Sequence, residues 1–240
     1  MGSYQKLQRY LNAEMEKLRS AAPAGPKRES PRPFVTISRQ AGAGAILLAD
    51  TMLEVFDEHA DTETFSGWQV FDHNLTDVIR TEPSIAKSLD SLLAEEYRSP
   101  TTDFFHQLVR STSDQDRVMA RVFQAARSLA TIGKTIIIGR AGSQVTADLP
   151  LGFHLRVVSP ESDRVAQLME SDDLSERRAR SELRKLDSRR ERLLRVHFDV
   201  DISDPMGYDA VWNLGSATYA EIAGATAAAI SQRVLDRAGA

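Results

Sequence analysis

Three short stretches, two of them built on glycine, carry charged side chains in a way that could hold an anion. The first is Ser38-Arg-Gln-Ala-Gly-Ala-Gly44, where glycines let backbone amides approach a phosphate at the start of a following helix. The second is Phe71-Asp72-His73, and the third is Gly139-Arg140-Ala-Gly142. Taken singly, each has a plainer reading: a tight turn, an Asp72 helix N-cap, and another turn. Taken together, an acid, an arginine and a glycine-rich turn suit a nucleotide, because a guanidinium matches phosphate through a planar fork of donors. From Arg177 to Arg195 there are nine basic residues against three acids, a segment charge of +6. Such a helix is a solvated face, a nucleic-acid contact or a lid that closes over phosphates. Asp187 and Arg190, at i and i+3, read most simply as an ion pair on its surface. The five histidines show no metal-ligand spacing, and there is no Gly-x-Ser-x-Gly elbow.

The elements that must carry these residues follow an alternating pattern. Phe34 to Ser38 is a short apolar strand, the glycine turn comes next, and an Ala/Leu-rich helix runs from about Gly44 to His59. Trp68 to Phe71 reads as a second strand, and His73 to Ile132 as mostly helical with breaks near Pro83, Pro100 and Ser113. Thr135 to Ile138 and Phe153 to Val158 are continuous apolar runs, as expected of buried parallel strands. A charged helix spans about Leu174 to Val196, a short strand lies around Asp209 to Trp212, and a last helix runs from Thr218 to Arg237. Strands separated by helices predict an α/β three-layer sandwich, with a five-stranded parallel sheet and right-handed crossovers. Ligands in such sheets bind beyond the carboxyl ends of the strands, where all three stretches fall.

Ahead of this body, Tyr4, Leu7, Leu11, Met15 and Leu18 form a narrow apolar stripe, and four prolines lie between Ala21 and Pro33. Residues 1–33 therefore read as an amphipathic helix with a proline-rich linker, and residues 34–240 as the main domain. The helix either packs on its own domain or serves as a dimerisation or protein-docking arm. The 240 residues are 42% hydrophobic and 27% charged, with a net charge of -4. That balance fits a globular chain and speaks against nucleic acid as a partner. The absence of cysteine excludes disulfides and thiol chemistry, the N-terminal residues lack a signal-peptide core or membrane span, and a cytoplasmic location is expected.

In order along the chain, Val35-Thr-Ile-Ser-Arg-Gln-Ala-Gly-Ala-Gly44, Val70-Phe-Asp72, Ile136-Ile-Ile-Gly-Arg-Ala-Gly142, Phe153-His-Leu-Arg-Val-Val-Ser-Pro160, Lys185-Leu-Asp-Ser-Arg-Arg190 and Tyr208-Asp-Ala-Val-Trp-Asn213 resemble the landmarks of the cytidylate kinase-like family. The resemblance implies a P-loop kinase fold and phosphoryl transfer from ATP, with Mg2+, to a nucleoside monophosphate. It implies that Arg39, Gln40, Ala41, Gly42, Ala43, Gly44 and Ala45 form the donor-phosphate loop. Asp72 and Arg140 would then lie on the acceptor side. A lid-like segment at about 171–206 would bring Arg184, Asp187 and Arg190 to the reacting phosphates.

The loop departs from the full phosphate-loop pattern. Ala45 stands where a lysine reaches the phosphates, and Ile46 and Leu47 stand where small or hydroxyl residues are usual. Loss of such a cation costs a transition state about 3 kcal/mol, roughly a hundredfold in rate. Arg39 or a lid arginine is the available substitute. The alternative is a catalytically inactive nucleotide-sensing or protein-interaction module on the same fold. The run Ala45 to Ala49 reads most simply as a helix bedded in the core.

Overall fold

A computed structural model describes residues 31–72 and 114–239. The expected N-terminal helix and the helical stretch from His73 to Ser113 lie outside the described residues, as does most of the proline-rich linker. Five strands, β1 (Phe34–Arg39), β2 (Gln69–Phe71), β3 (Thr135–Ile138), β4 (Gly152–Val158) and β5 (Ala210–Asn213), form one parallel sheet. Their order is β2-β3-β1-β4-β5. The expected five-stranded parallel sheet is therefore present, with strand ends displaced by one residue at β5. The apolar runs decide this: all four β3 residues are buried, and Val35, Ile37, Leu155 and Val157 are essentially inaccessible.

Helices cover both faces. Among the described residues these are α1 (Ala45–Asp57), α2 (Thr62–Phe65), α3 (Asp114–Ile132), α4 (Gly142–Val145), α5 (Glu161–Asp172), α6 (Glu176–Phe198) and α7 (Tyr219–Ala238). On one face α1 and α7 pack with Val35, Ile37, Ile136, Ile138 and Leu155. On the other, α3, α4 and the end of α6 close over Phe34 and Ile137. A small third cluster joins Ala41 of the glycine turn to Val165 and Leu168 of α5 and Ala179 and Leu183 of α6. The turn is thus tied to the α5–α6 pair by apolar contact. Helix α5 carries no separate signal in the sequence reading, which placed only one long helix here.

The helix expected from Ala45 to Ala49 beds one face in the core. Ala45, Leu48 and Ala49 are buried, whereas Ile46 is 50% and Leu47 47% exposed. A helix of 3.6 residues per turn turns positions 45, 48, 49, 52 and 56 inward, and 46 and 47 fall on the outer face.

Candidate functional site

The carboxyl ends of β1 and β3 open into a cleft roofed by α6. Thr36, Ser38, Arg39, Arg140, Ser143 and Arg190 supply its polar lining, and Leu193, Leu194 and Ile202 its apolar side. Its interior volume is about 50 Å³, room for a few waters or one phosphate-sized group. Strand alternation aims Thr36 and Ser38 to the α3/α4 side of the sheet. The αL backbone of Arg140 and Ala141, φ 57° and 52°, turns the chain sharply from β3 into α4. Gly142, the first residue of α4, packs so tightly on Thr36 that a Cβ would come within 3.0 Å of it.

Three arginines thus line a small cleft from β1, the β3–α4 turn and α6. Burial, then the cations of Arg190 and Arg140, push Arg39 down to about 9, and only Asp72 pulls the other way. Burial likewise holds Arg190 below the usual guanidinium value; Asp187 opposes this, while Arg140, Arg156 and Arg164 add to it. Arg156 is 6% exposed, donates from Nη1 to Ser38 Oγ at 3.1 Å and lies over the Tyr208 ring at 5.7 Å. Tyr208 and Ser38 share a hydroxyl contact of 3.2 Å. Against this cluster of guanidiniums stand two carboxylates, Asp72 toward Arg39 and Asp187 toward Arg190. An array of this kind is stressed by itself and relieved by an anion.

The glycine turn sits beside the cleft and is held differently. The Ala41 N–H donates to Asp187 Oδ1 at 2.7 Å, and Arg164 Nη1 donates to Asp187 Oδ2 at 2.8 Å and to the Ala41 carbonyl at 3.3 Å. Arg190 Nη1 lies 3.5 Å from Asp187 Oδ1 and donates to the Arg39 carbonyl at 3.3 Å. The pair expected between Asp187 and Arg190 is present, and Asp187 also reaches inward to the turn. Gln40 donates its N–H to the Val157 carbonyl at 3.1 Å and accepts from the Ser159 N–H at 3.0 Å through its side chain. The Ala43 N–H turns back to the Gln40 carbonyl at 3.3 Å. Gly42 and Gly44 have φ of 71° and 70°, with Gly44 at the N-cap of α1.

A family model described as the cytidylate kinase-like family matches residues 34–216. The chain belongs to that family. No curated protein matches it. The crystal structure of an uncharacterized protein from Eubacterium ventriosum ATCC 27560 superposes with a TM-score of 0.63 at 17% identity, covering 84% of this chain and 99% of that one, a likeness of fold. TT1252 from Thermus thermophilus gives a TM-score of 0.45 at 14% identity, over 84% of this chain and 98% of that one. A gluconokinase from Sinorhizobium meliloti 1021 gives 0.39 at 12% identity, over 85% and 94%.

In this cytidylate kinase-like chain the structure brings Arg39, Arg140 and Arg190 together at the cleft, with Asp72 close enough to act on Arg39. Arg184 is exposed and does not line it. Residues 40–44 form the β1–α1 turn, with Arg39 ending β1 and Ala45 opening α1. Thr36, Ser143, Arg156 and Arg164 were given no role in the sequence reading, and Ser38 stood there only as the start of the glycine stretch. Only the alternation of β1 and β4 could have pointed to Ser38 and Arg156, which stand opposite each other in register. Among the described residues no three or more His, Asp or Glu group as metal ligands, and no helix is long and apolar enough to cross a membrane. With Ala45 and Leu47 in place of the lysine and hydroxyl, the loop's side chains do not fit a magnesium-bound triphosphate.

Proposed function

We propose that this kinase-like protein binds a phosphorylated small molecule of the nucleoside monophosphate class, its phosphate seated in the cleft between Arg39, Arg140 and Arg190. The observation that carries this reading is the convergence of three arginines from separate elements on a cavity of phosphate size. Ser38, Ser143 and Thr36 add hydroxyls to the lining, and Leu193 and Ile202 an apolar flank for the rest of the ligand. Binding would neutralise charges that oppose one another, so the ligand's phosphate supplies stabilisation the arginines cannot give each other. On this reading the protein is a nucleotide-sensing module that keeps the family's acceptor side.

Phosphoryl transfer from ATP is the second reading, and one contact favours it. Arg190 joins the cleft to the loop by donating to the Arg39 carbonyl, so a cation already stands between the two phosphate regions. An arginine there is able to neutralise charge passing from donor to acceptor. The readings separate in one experiment, in which the protein is incubated with γ-labelled ATP, Mg2+ and each nucleoside monophosphate while its melting temperature is followed with the monophosphates alone. A melting shift without label transfer is the expected result. Transfer that Arg190→Met abolishes would establish the kinase, and neither shift nor transfer would remove both readings.

A further inference from the structure

We propose that the Asp187 carboxylate is the anion that the glycine loop holds, so that the protein accepts phosphomonoesters through its arginine cleft and turns away the polyphosphate of a nucleoside triphosphate. This rests on the cleft reading above and adds the ligand class. The carboxylate takes the Ala41 N–H at 2.7 Å and the Arg164 guanidinium at 2.8 Å, the two kinds of donor a phosphate would use. Neighbouring amides are also committed: Gln40 to Val157 and Ala43 to Gln40.

Access is closed as well. Ala41 is 1% exposed and packs against Val165, Leu168, Ala179 and Leu183, so its amide faces the α5–α6 pair rather than solvent. The Gly42 backbone lies so near that of Arg164 that a Cβ would approach the Arg164 carbonyl oxygen to 2.5 Å. On the other flank the Tyr219 hydroxyl fills the space a side chain at Gly44 would occupy. A polyphosphate would have to displace Asp187, part α5 from the loop, and do so without a lysine or a magnesium-binding hydroxyl. A phosphomonoester in the cleft needs none of these steps.

The test uses the full chain and isothermal calorimetry with inorganic tripolyphosphate and with CMP. Asp187→Asn keeps the shape, removes the charge and leaves Arg164 without its counter-ion. Tripolyphosphate is expected to bind this variant at least tenfold more tightly than the wild type. A folded Asp187→Asn protein with no gain would overturn the proposal. The Ala41 amide resonance of the wild type gives a second readout that survives any folding failure of the variant. It is expected to stay fixed in a large excess of ATP, and a ligand-induced shift there would overturn the proposal. Arg140→Met, which weakens CMP if the cleft reading holds, separates failure of that reading from failure of this one.

Discussion

Arg39 is a buried cation held against two others, which makes it costly to the fold and useful to a ligand. Below about 9 it is charged in both folded and unfolded chains, so its penalty is fully present at neutral pH. Between about 9 and its ordinary value only the unfolded chain keeps the proton, and stability from this group rises with pH. Arg39→Met is therefore expected to stabilise the ligand-free protein by on the order of 1 kcal/mol, about 2–4 °C in melting temperature, and to weaken phosphate binding. Differential scanning calorimetry with and without phosphate checks both signs; a drop in melting temperature would assign Arg39 a structural role. His154 follows the same sign in a lower pH window. Its Nδ1 meets Thr36 Oγ at 2.8 Å, and burial lowers its pKa while Asp209 raises it and Arg233 lowers it. The folded chain holds it neutral where the unfolded chain takes up a proton, so stability from this group falls as pH drops below 6.5 toward the folded value. Urea titrations at pH 7.5 and about 5.5 should show that loss in the wild type and less of it in His154→Gln. None of this was visible in the sequence: Thr36 and His154 are 118 positions apart, as are Ser38 and Arg156, and no local pattern announces either contact.

At the scale of elements, what the sequence made legible was what continuous apolar runs and glycines dictate. β3 and β4 had to be buried parallel strands, and the turn after β1 had to be glycine-built. The relation of α5 to that turn was hidden because it depends on Ala41, a residue with no chemical signal, being gripped by Val165 and Leu168. Gly42 shows how tight the grip is. Gly42→Ala imposes a Cβ on a positive φ and drives it to 2.5 Å from the Arg164 carbonyl, where the obstacle is backbone. The expected cost is about 2 kcal/mol or more, read as a lowered urea midpoint; a neutral result would mean that α5 is free to move off the loop. Helix α6 divides its charges by face. Ala179, Leu183 and Leu194 pack inward, and Asp187 and Arg190 reach the site, while Arg177, Arg178, Arg184, Lys185, Arg189, Arg192 and Arg195 are exposed. Exposed pairs such as Arg195 with Glu191 at 2.9 Å contribute little to stability. The lid-like resemblance thus applies to one face of the helix, and Arg184 stands on the other side of that division.

For the molecule as a whole, the sheet gathers residues scattered over more than 150 positions into one cationic cleft while the chain's net charge stays at -4. An acidic body with a small, deep basic site favours a small anion over an extended polyanion, because only the small one reaches the buried charges. Family membership follows from the match to residues 34–216, and the departures at Ala45 and Leu47 bear on what the family's fold still does here. Calorimetric titration with CMP and with cytidine, on the wild type and on Arg140→Met, tests the cleft most directly. The account predicts that CMP binds the wild type, that cytidine binds at least tenfold more weakly for want of the phosphate, and that Arg140→Met loses most of this preference. Equal affinity for CMP and cytidine, or an Arg140→Met protein that is folded and binds CMP as the wild type does, would contradict it.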